Sequence, residues 1–266
     1  MKGTIIFFCN PDNMQAASVL RAATNIAQRL GYQCAAQYSN ACSLDSKPGA
    51  ALFIVAIGGD GTILKAVPLA VRWNLPILGI NLGRVGFLSE IVPSDFELAL
   101  LRYNENMLLY DTRMMLSCSV NGQPVDDCLN EVLLYKASFS GVTHISFMID
   151  GMQAGSVSCD GMIVGTPTGA TGYSISAGGP IVSPGLDALV ITPVCPHSLL
   201  ARPIVASPNA TLAFQMLSEG CLYIDGQQSI GLQTDDLITI KLADTKIRFL
   251  RMAPHNIYTL IREKLS

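Results

Sequence analysis

The first hundred residues alternate short apolar runs with segments of helical periodicity. Residues 14–30 repeat apolar side chains at helical spacing, and Gly31 can end that helix. Ser94 is a candidate cap for a further helix at 95–102. Alternation of strand and helix predicts a parallel sheet with helices on both faces. The apolar runs that predict buried strands are 4–9, 51–57 and 76–80.

Beyond about residue 108 the segments become short, β-rich and separated by Gly, Pro, Asn or Asp. This pattern predicts an antiparallel β sandwich or barrel-like domain. Helical spacing returns at 256–265 and indicates a segment that rejoins the first domain. We therefore predict an α/β N-terminal domain, residues 1–108 completed by 246–266, and an all-β C-terminal domain, residues 109–245.

The composition restricts the partners and the compartment. Half of the residues are hydrophobic and only 14% are charged, with a formal net charge of −3. Without a block of lysines or arginines, neither nucleic acid nor an anionic membrane is an expected partner. The eight scattered cysteines and the absence of a long apolar run favour a cytoplasmic protein with free thiols. The low charge also favours contacts between subunits.

A glycine loop, GGDGT at 58–62, follows the predicted strand 51–57. It leads into a predicted helix that begins with ILKAV. Backbone N–H groups of such a loop point at an anion. The loop matches neither the P-loop nor the dinucleotide fingerprint. Pro68 is expected to kink or end the helix early. Asp60 could either cap this helix or contact a ligand, and the loop alone does not decide between the two.

Further motifs follow in a fixed order and change this balance. They are NLGRVGFLSE at 81–90, LNEVLLYK at 129–136, DGMIVGTPTGATGYSISAGGPIV at 160–182 and TPVCPHSLLARPIV at 192–205. Together with the glycine loop, these motifs closely resemble the NAD kinase family over nearly the whole chain. GGDGT alone is shared with diacylglycerol and sphingosine kinases and phosphofructokinases, whereas the Asn-Glu pair followed by TPTGATGYSISAGGP is specific to NAD kinases.

The resemblance implies transfer of the γ-phosphoryl of ATP, or of polyphosphate in some members, to the 2′-hydroxyl of the adenosine ribose of NAD. Asp60 matches the family's catalytic aspartate. Positioning and charge neutralisation do most of the work in phosphoryl transfer, so we expect Asp60 chiefly to orient that hydroxyl. The implied donor phosphate loop consists of Gly58, Gly59, Gly61 and Thr62.

The same resemblance implies the residues that bind NAD. Asn130 and Glu131 hold the adenosine, Asp160 contacts the nicotinamide side, and 171–176 line the adenine pocket. Ser158 stands where some members carry a basic residue, which leaves the contacts to the phosphates open. The implied set is Asp60, Gly61, Phe87, Asn130, Glu131, Ser158, Asp160, Thr171, Gly172, Tyr173, Ser174, Ile175, Ser176, Asp225 and Gln227.

Several of these residues also have a structural interpretation. Asn130-Glu131 could form a turn before a strand, and Asp225 could open a hairpin that includes Gln227. Phe87 could be an ordinary core residue, and His197 is more often structural than a ligand contact. GTPTGATG could be an ordinary polar turn.

The charges of the two substrates imply Mg²⁺ bridging the nucleotide phosphates, with no metal cage in the protein. The nearest cations in sequence are Lys65, Arg84 and Arg113. NAD and ATP are thus the implied partners, in a homodimer or homotetramer. The alternatives are a lipid or sugar kinase, a non-catalytic nucleotide sensor, and a serine hydrolase that uses the SISAG segment at 174–178.

Overall fold

The structure, a computed structural model, describes residues 2–39, 46–83, 86–138, 141–198, 200–254 and 256–265. The chain divides into two compact units. The first comprises Met1–Thr112 together with Ile247–Ser266, and the second comprises Arg113–Lys246.

The elements up to residue 108 alternate strand and helix. In chain order they are β1 (Thr4–Cys9), α1 (Met14–Arg29), β2 (Gln33–Tyr38), β3 (Ala51–Ile57), α2 (Asp60–Trp73), β4 (Ile77–Ile80) and α3 (Phe96–Asn104).

The following elements are almost all strands. They are β5 (Leu109–Val120), β6 (Gln123–Pro124), β7 (Glu131–Lys136), β8 (Thr143–Ile149), β9 (Met152–Cys159), β10 (Gly161–Gly165), α4 (Tyr173–Ser176), β11 (Leu189–Val194), β12 (Ile204–Ala206), β13 (Leu212–Met216), β14 (Gly220–Ile224), β15 (Gln228–Leu232), β16 (Leu237–Arg251) and α5 (Ile257–Leu265).

The first unit is built on a parallel sheet in the order β2-β1-β3-β4. The helix α1 begins at the N-cap Asn13, whose side chain accepts a hydrogen bond from Ala16 N. The buried face of α1 carries small residues and packs with α3 against β1 and β3. The strand β3 lies in this sheet and ends at Ile57, so the glycine loop starts at the carboxyl end of a strand of the parallel sheet.

The structure corrects two local expectations for this unit, an early end of α2 at Pro68 and a cap at Ser94. Pro68 does not end its helix early, because α2 continues to Trp73. Its buried face, which includes Ile63, Val67 and Ala70, outweighs the one backbone hydrogen bond that proline removes. Ser94 does not cap α3: it lies in a short 3₁₀ turn, and its hydroxyl is bonded to the carboxylate of Asp95.

The second unit contains a six-stranded antiparallel sheet in the order β12-β11-β10-β7-β14-β15. A second antiparallel set runs β16-β13-β8-β9. Both contribute to one buried core, in which Leu134 and Val164 of the first set meet Phe147 and Phe214 of the second. This arrangement is the sandwich that the alternating β segments predict.

The long strand β16 passes from the second unit into the first. Its residue Phe249 pairs in parallel with Ile77 of β4, so this strand extends the first unit's sheet. The predicted fold is confirmed: an α/β N-terminal unit, an all-β unit, and a final segment that returns to the first. None of the described helices is long and apolar enough to cross a membrane.

Candidate functional site

In the first unit, the glycine loop turns the chain from β3 into α2. Gly59 is the N-cap of α2 and Asp60 is its first helical residue, so Asp60 does not cap the helix. Gly58 has a φ of +154°, and a Cβ there would lie 2.7 Å from Cβ of Thr62. Glycine is therefore required at Gly58, where the backbone N–H is bonded to the carbonyl of Ile80.

The carboxylate of Asp60 is held by a second loop of the same unit. Oδ2 accepts from Phe87 N at 2.8 Å and Oδ1 accepts from Leu88 N at 3.1 Å. Gly86 lies so close that a Cβ there would come within 2.7 Å of Asp60 Oδ2. Both oxygens are thus fixed by backbone donors, which leaves each oxygen a lone pair for another group.

The basic residues nearest in sequence to the motifs, Lys65, Arg84 and Arg113, differ in their surroundings. Lys65 is exposed on α2, whereas Arg113 is buried in the second unit and donates to Thr168 Oγ1 at 3.2 Å. Arg84 lies outside the described residues. Phe87 is half-buried and takes part in the loop through its backbone N–H.

In the second unit, the Asn-Glu pair stands at the start of β7 and is supported by Asp225. The Asp225 carboxylate accepts from Leu129 N at 2.9 Å, Asn130 N at 2.7 Å and Glu131 N at 3.2 Å. Asp225 and Gly226 have φ of 48° and 66°, as a tight hairpin between β14 and β15 requires. Asp225 therefore makes the hairpin and also fixes the Asn-Glu backbone.

The side chains of the Asn-Glu pair carry buried polar atoms. Asn130 Oδ1 and Glu131 Oε2 have no hydrogen-bond partner among the described residues. Burial, and then the charge of Asp225, raise the pKa of Glu131 to about 7. Burial also raises the pKa of Asp225, against the lowering effect of the N–H donors of 129–131. Buried acceptors without partners are costly, and a ligand with hydroxyl or amino donors would satisfy them.

A cavity of about 420 Å³ opens beside Glu131. Tyr173 and Glu131 are among the site residues predicted from sequence, whereas Tyr135 and Tyr223 are not. The signal was present: alternation in EVLLYK puts residues 131, 133 and 135 on one face of β7, with Val132 and Leu134 in the core. The lining residues are Glu131, Leu133, Tyr135, Tyr173, Tyr223 and Gly226.

The 171–176 segment forms the end of a 3₁₀ turn and the short helix α4. Gly172 lies against the Asn-Glu pair, since a Cβ there would be 3.1 Å from Glu131 Oε2. Tyr173 and Ser176 are exposed, and Thr171 and Ile175 are half-buried. Ser174, by contrast, is fully buried. Its hydroxyl is 2.9 Å from Thr192 Oγ1, an internal contact.

The other residues predicted to bind NAD, together with His197, have contacts away from the Asn-Glu pair. Asp160 forms an ion pair with Lys136, Oδ1 to Nζ 2.6 Å, a cation that sequence reasoning missed. The hydroxyl of Ser158 is 2.8 Å from His144 Nδ1. His197 donates its backbone N–H to the carbonyl of Ser158. Gln227 is exposed in the hairpin and donates its N–H to the carbonyl of Ile224.

Truncating Asp225 tests its structural role. Asp225→Ala is expected to lower the free energy of unfolding by about 3 kcal/mol, because three backbone donors lose their acceptor. The matched control is Asp150→Ala: Asp150 also has a left-handed φ, 51°, but it is exposed, and among the described residues its carboxylate accepts from a single backbone donor, Thr211 N. That control should cost about 1 kcal/mol. Equal losses in urea denaturation would contradict the prediction.

A glycine loop that opens a helix is typical of a nucleotide-binding enzyme, and so is a pocket on a β unit with aromatic walls and unpartnered acceptors. Two family models match the chain: the ATP-NAD kinase N-terminal domain at residues 38–107 and the ATP-NAD kinase C-terminal domain at residues 129–252. The NAD kinase of Desulforamulus reducens is 40% identical over 220 residues, covering 80% of this chain and 76% of that protein. The NAD kinase of Caldanaerobacter subterraneus subsp. tengcongensis is 35% identical over 248 residues, covering 91% and 86%.

Solved structures give the same result. An NAD kinase from Archaeoglobus fulgidus in complex with ATP superposes with a TM-score of 0.81 at 27% identity, covering 97% of this chain and 98% of that one. Yeast NADH kinase complexed with NADH has a TM-score of 0.87 at 22% identity, covering 99% and 87%, and shows the fold. The chain belongs to the NAD kinase family, which confirms the resemblance of its motifs.

Family membership removes the alternatives of a serine hydrolase and of a lipid or sugar kinase. The structure adds a reason against the hydrolase, which concerns Ser176, the nucleophile of that alternative. The exposed Ser176 stands on a four-residue helix rather than on a strand-to-helix elbow.

Proposed function

We propose that this protein transfers the γ-phosphoryl of ATP to the 2′-hydroxyl of the adenosine ribose of NAD and so produces NADP. The observation that carries the proposal is the Asp60 carboxylate, held by two backbone N–H groups beside a glycine loop. A fixed carboxylate orients an acceptor hydroxyl and takes its proton as the new P–O bond forms. The glycine loop and the start of α2 offer N–H groups to the donor phosphates.

The second unit supplies the NAD-binding groups in this proposal. Glu131 Oε2 and Asn130 Oδ1 accept hydrogen bonds from the adenosine portion, which satisfies the two buried acceptors without protein partners. Tyr173 and Tyr135 offer aromatic faces beside them in the cavity.

Mg²⁺ enters this scheme with the phosphates of ATP. No group of three or more His, Cys, Asp or Glu in the described ranges is arranged to hold a metal ion. Oxygen ligands from phosphates suit Mg²⁺, and the ion supplies charge neutralisation during transfer. The residues of this chain bind and orient the two substrates.

A coupled assay for NADP formation tests the proposed reaction. NADP should appear with Mg²⁺ and ATP, and chelation by EDTA should abolish it. Parallel arms replace ATP with polyphosphate or omit the donor, and others replace NAD with NADH, diacylglycerol, sphingosine or fructose 6-phosphate. Tight NAD binding without NADP in any arm would favour the nucleotide sensor instead.

The raised pKa of Glu131 predicts how NAD binding depends on pH. Since the pKa is about 7, the carboxylate is ionised above pH 7 and protonated below it. The ionised form accepts from ribose hydroxyls more strongly, so affinity should weaken as the pH falls through 7. We expect the Kd of NAD to rise about tenfold between pH 8 and pH 6.

Isothermal titration at fixed ionic strength measures this dependence. Glu131→Gln should bind more weakly at pH 8 and lose the pH dependence. The control Glu219→Gln, at an exposed position of the same unit, should keep it. A wild-type Kd that is constant from pH 6 to pH 8 would contradict the assignment of Glu131.

A further inference from the structure

We infer that Arg251 is a positioning residue for catalysis, acting through the loop that holds Asp60. The inference rests on the proposed role of Asp60 and adds a residue that touches neither Asp60 nor, in the proposed scheme, a substrate. Arg251 is the last residue of β16 and is 1% exposed. It belongs to the same unit as Asp60 although 191 positions separate them, from 60 to 251.

The guanidinium of Arg251 contacts two carboxylates and also the loop at 86–90, which holds Asp60 through Phe87 and Leu88. Its Nε donates to Asp111 Oδ2 at 3.0 Å. Its Nη1 donates to the carbonyl of Leu88 at 3.0 Å and to Glu90 Oε2 at 3.1 Å. Glu90 also accepts from the backbone N–H of Met252 at 2.7 Å, so the acidic partner is itself fixed to the end of β16.

Leu88 is the shared element of this arrangement. Its N–H donates to Asp60 Oδ1 and its carbonyl accepts from Arg251, so both polar groups of one residue are held. The neighbouring turn is closed by Gly86 N, which donates to Ser89 Oγ at 2.7 Å. Moving the Leu88 carbonyl would therefore move the donor that orients one Asp60 oxygen.

Stability alone is a weak reason for this cluster. A buried ion pair loses much of its Coulomb energy to desolvation and seldom stabilises more than an apolar residue would. Here Arg251 Nη2 is buried without a hydrogen-bond partner among the described residues, which adds a cost. The planar guanidinium fixes two carboxylates and the carbonyls of Leu88 and Ser89 in one geometry, which a lysine ammonium cannot reproduce.

Steady-state kinetics of Arg251→Lys test the inference. Because the variant keeps the charge but loses the fork, we expect kcat to fall at least about tenfold while the KM values for NAD and ATP stay within about twofold. Arg248→Lys is the matched control on the same strand: Arg248 is half-buried and donates to Asn74, outside the cluster around Leu88. It should keep the wild-type kcat. Melting temperatures are measured for every variant, and rates are compared well below them.

A double-mutant cycle separates positioning from general support. If Arg251 acts through Asp60, then Asp60→Asn with Arg251→Lys should turn over no more slowly than Asp60→Asn alone. Additive losses would overturn the inference. If Arg251→Lys does not fold, Glu90→Gln takes its place in the cycle, since it keeps the shape and removes the charge of the partner of Arg251.

The outcomes distinguish this inference from the proposed function. Loss of turnover in Asp60→Asn with unchanged kcat in Arg251→Lys overturns only the role of Arg251. Near-normal turnover in Asp60→Asn overturns the role of Asp60, and the role of Arg251 with it. A fall in kcat for Arg248→Lys equal to that for Arg251→Lys would also overturn it, because the effect would belong to the strand.

Discussion

Asp60→Asn is expected to bind NAD with an affinity within about threefold of the wild type and to turn over about 10³-fold more slowly. The amide cannot take the proton of the acceptor hydroxyl. Its Nδ2 would also face a backbone N–H of Phe87 or Leu88, where the structure has an acceptor. One of the two fixing hydrogen bonds is therefore lost, and the side chain turns.

Titration of NAD and a discontinuous NADP assay at high enzyme concentration measure the two quantities separately. Asp95→Asn serves as the control, because Asp95 stands at the start of α3 in the same unit and its side chain makes no capping hydrogen bond. Turnover of Asp60→Asn within a few fold of wild type would reduce Asp60 to a structural residue of the loop.

Gly86→Ala is expected to have the second-largest effect, a loss of about 10²-fold or more in kcat. A Cβ at Gly86 would lie 2.5 Å from the carboxyl carbon of Asp60, so either the carboxylate or the loop must shift. The shift separates the carboxylate from the N–H groups of Phe87 and Leu88. Affinity for NAD through the second unit should change little.

The matched control for this change is Gly83→Ala, in the same loop. A Cβ at Gly83 meets no atom within 4 Å, and the residue is exposed. It should keep the wild-type kcat. If the two alanine variants lost activity equally, loop flexibility and not contact with Asp60 would explain the effect.

The fold could be predicted from local patterns because each element carries its own signal. The apolar run of β3 and the helical spacing of α1 are found at almost the predicted bounds. The strand β2, which starts at Gln33, was not predicted, since its sequence QCAAQY has little apolar character and its residues are mostly not buried. The prediction of a cap at Ser94 is wrong because this residue lies in a 3₁₀ turn. Pro68 does not end α2 because the tertiary packing of that helix outweighs the local preference of proline.

The sequence motifs name candidate site residues but not the contacts that hold them. Asp60, Glu131 and Asp225 are candidates from the motifs, yet no sequence pattern shows that Phe87 and Leu88 hold Asp60. Nor does a pattern show that Asp225 holds the backbone of Glu131, because such contacts join residues about 27 to 96 positions apart. Their partners are backbone groups, which carry no residue-specific signal.

The path of β16 has a consequence for the order in which the polypeptide matures during synthesis. Residues 113–246 leave the ribosome as one uninterrupted stretch and can complete the second unit. The first unit lacks Phe249 beside β4 and Arg251 beside Leu88 until those late residues emerge. The unit whose synthesis begins first is therefore the later to reach its finished form, and a nascent chain stalled before residue 247 would lack the contacts of Arg251 with the loop that holds Asp60.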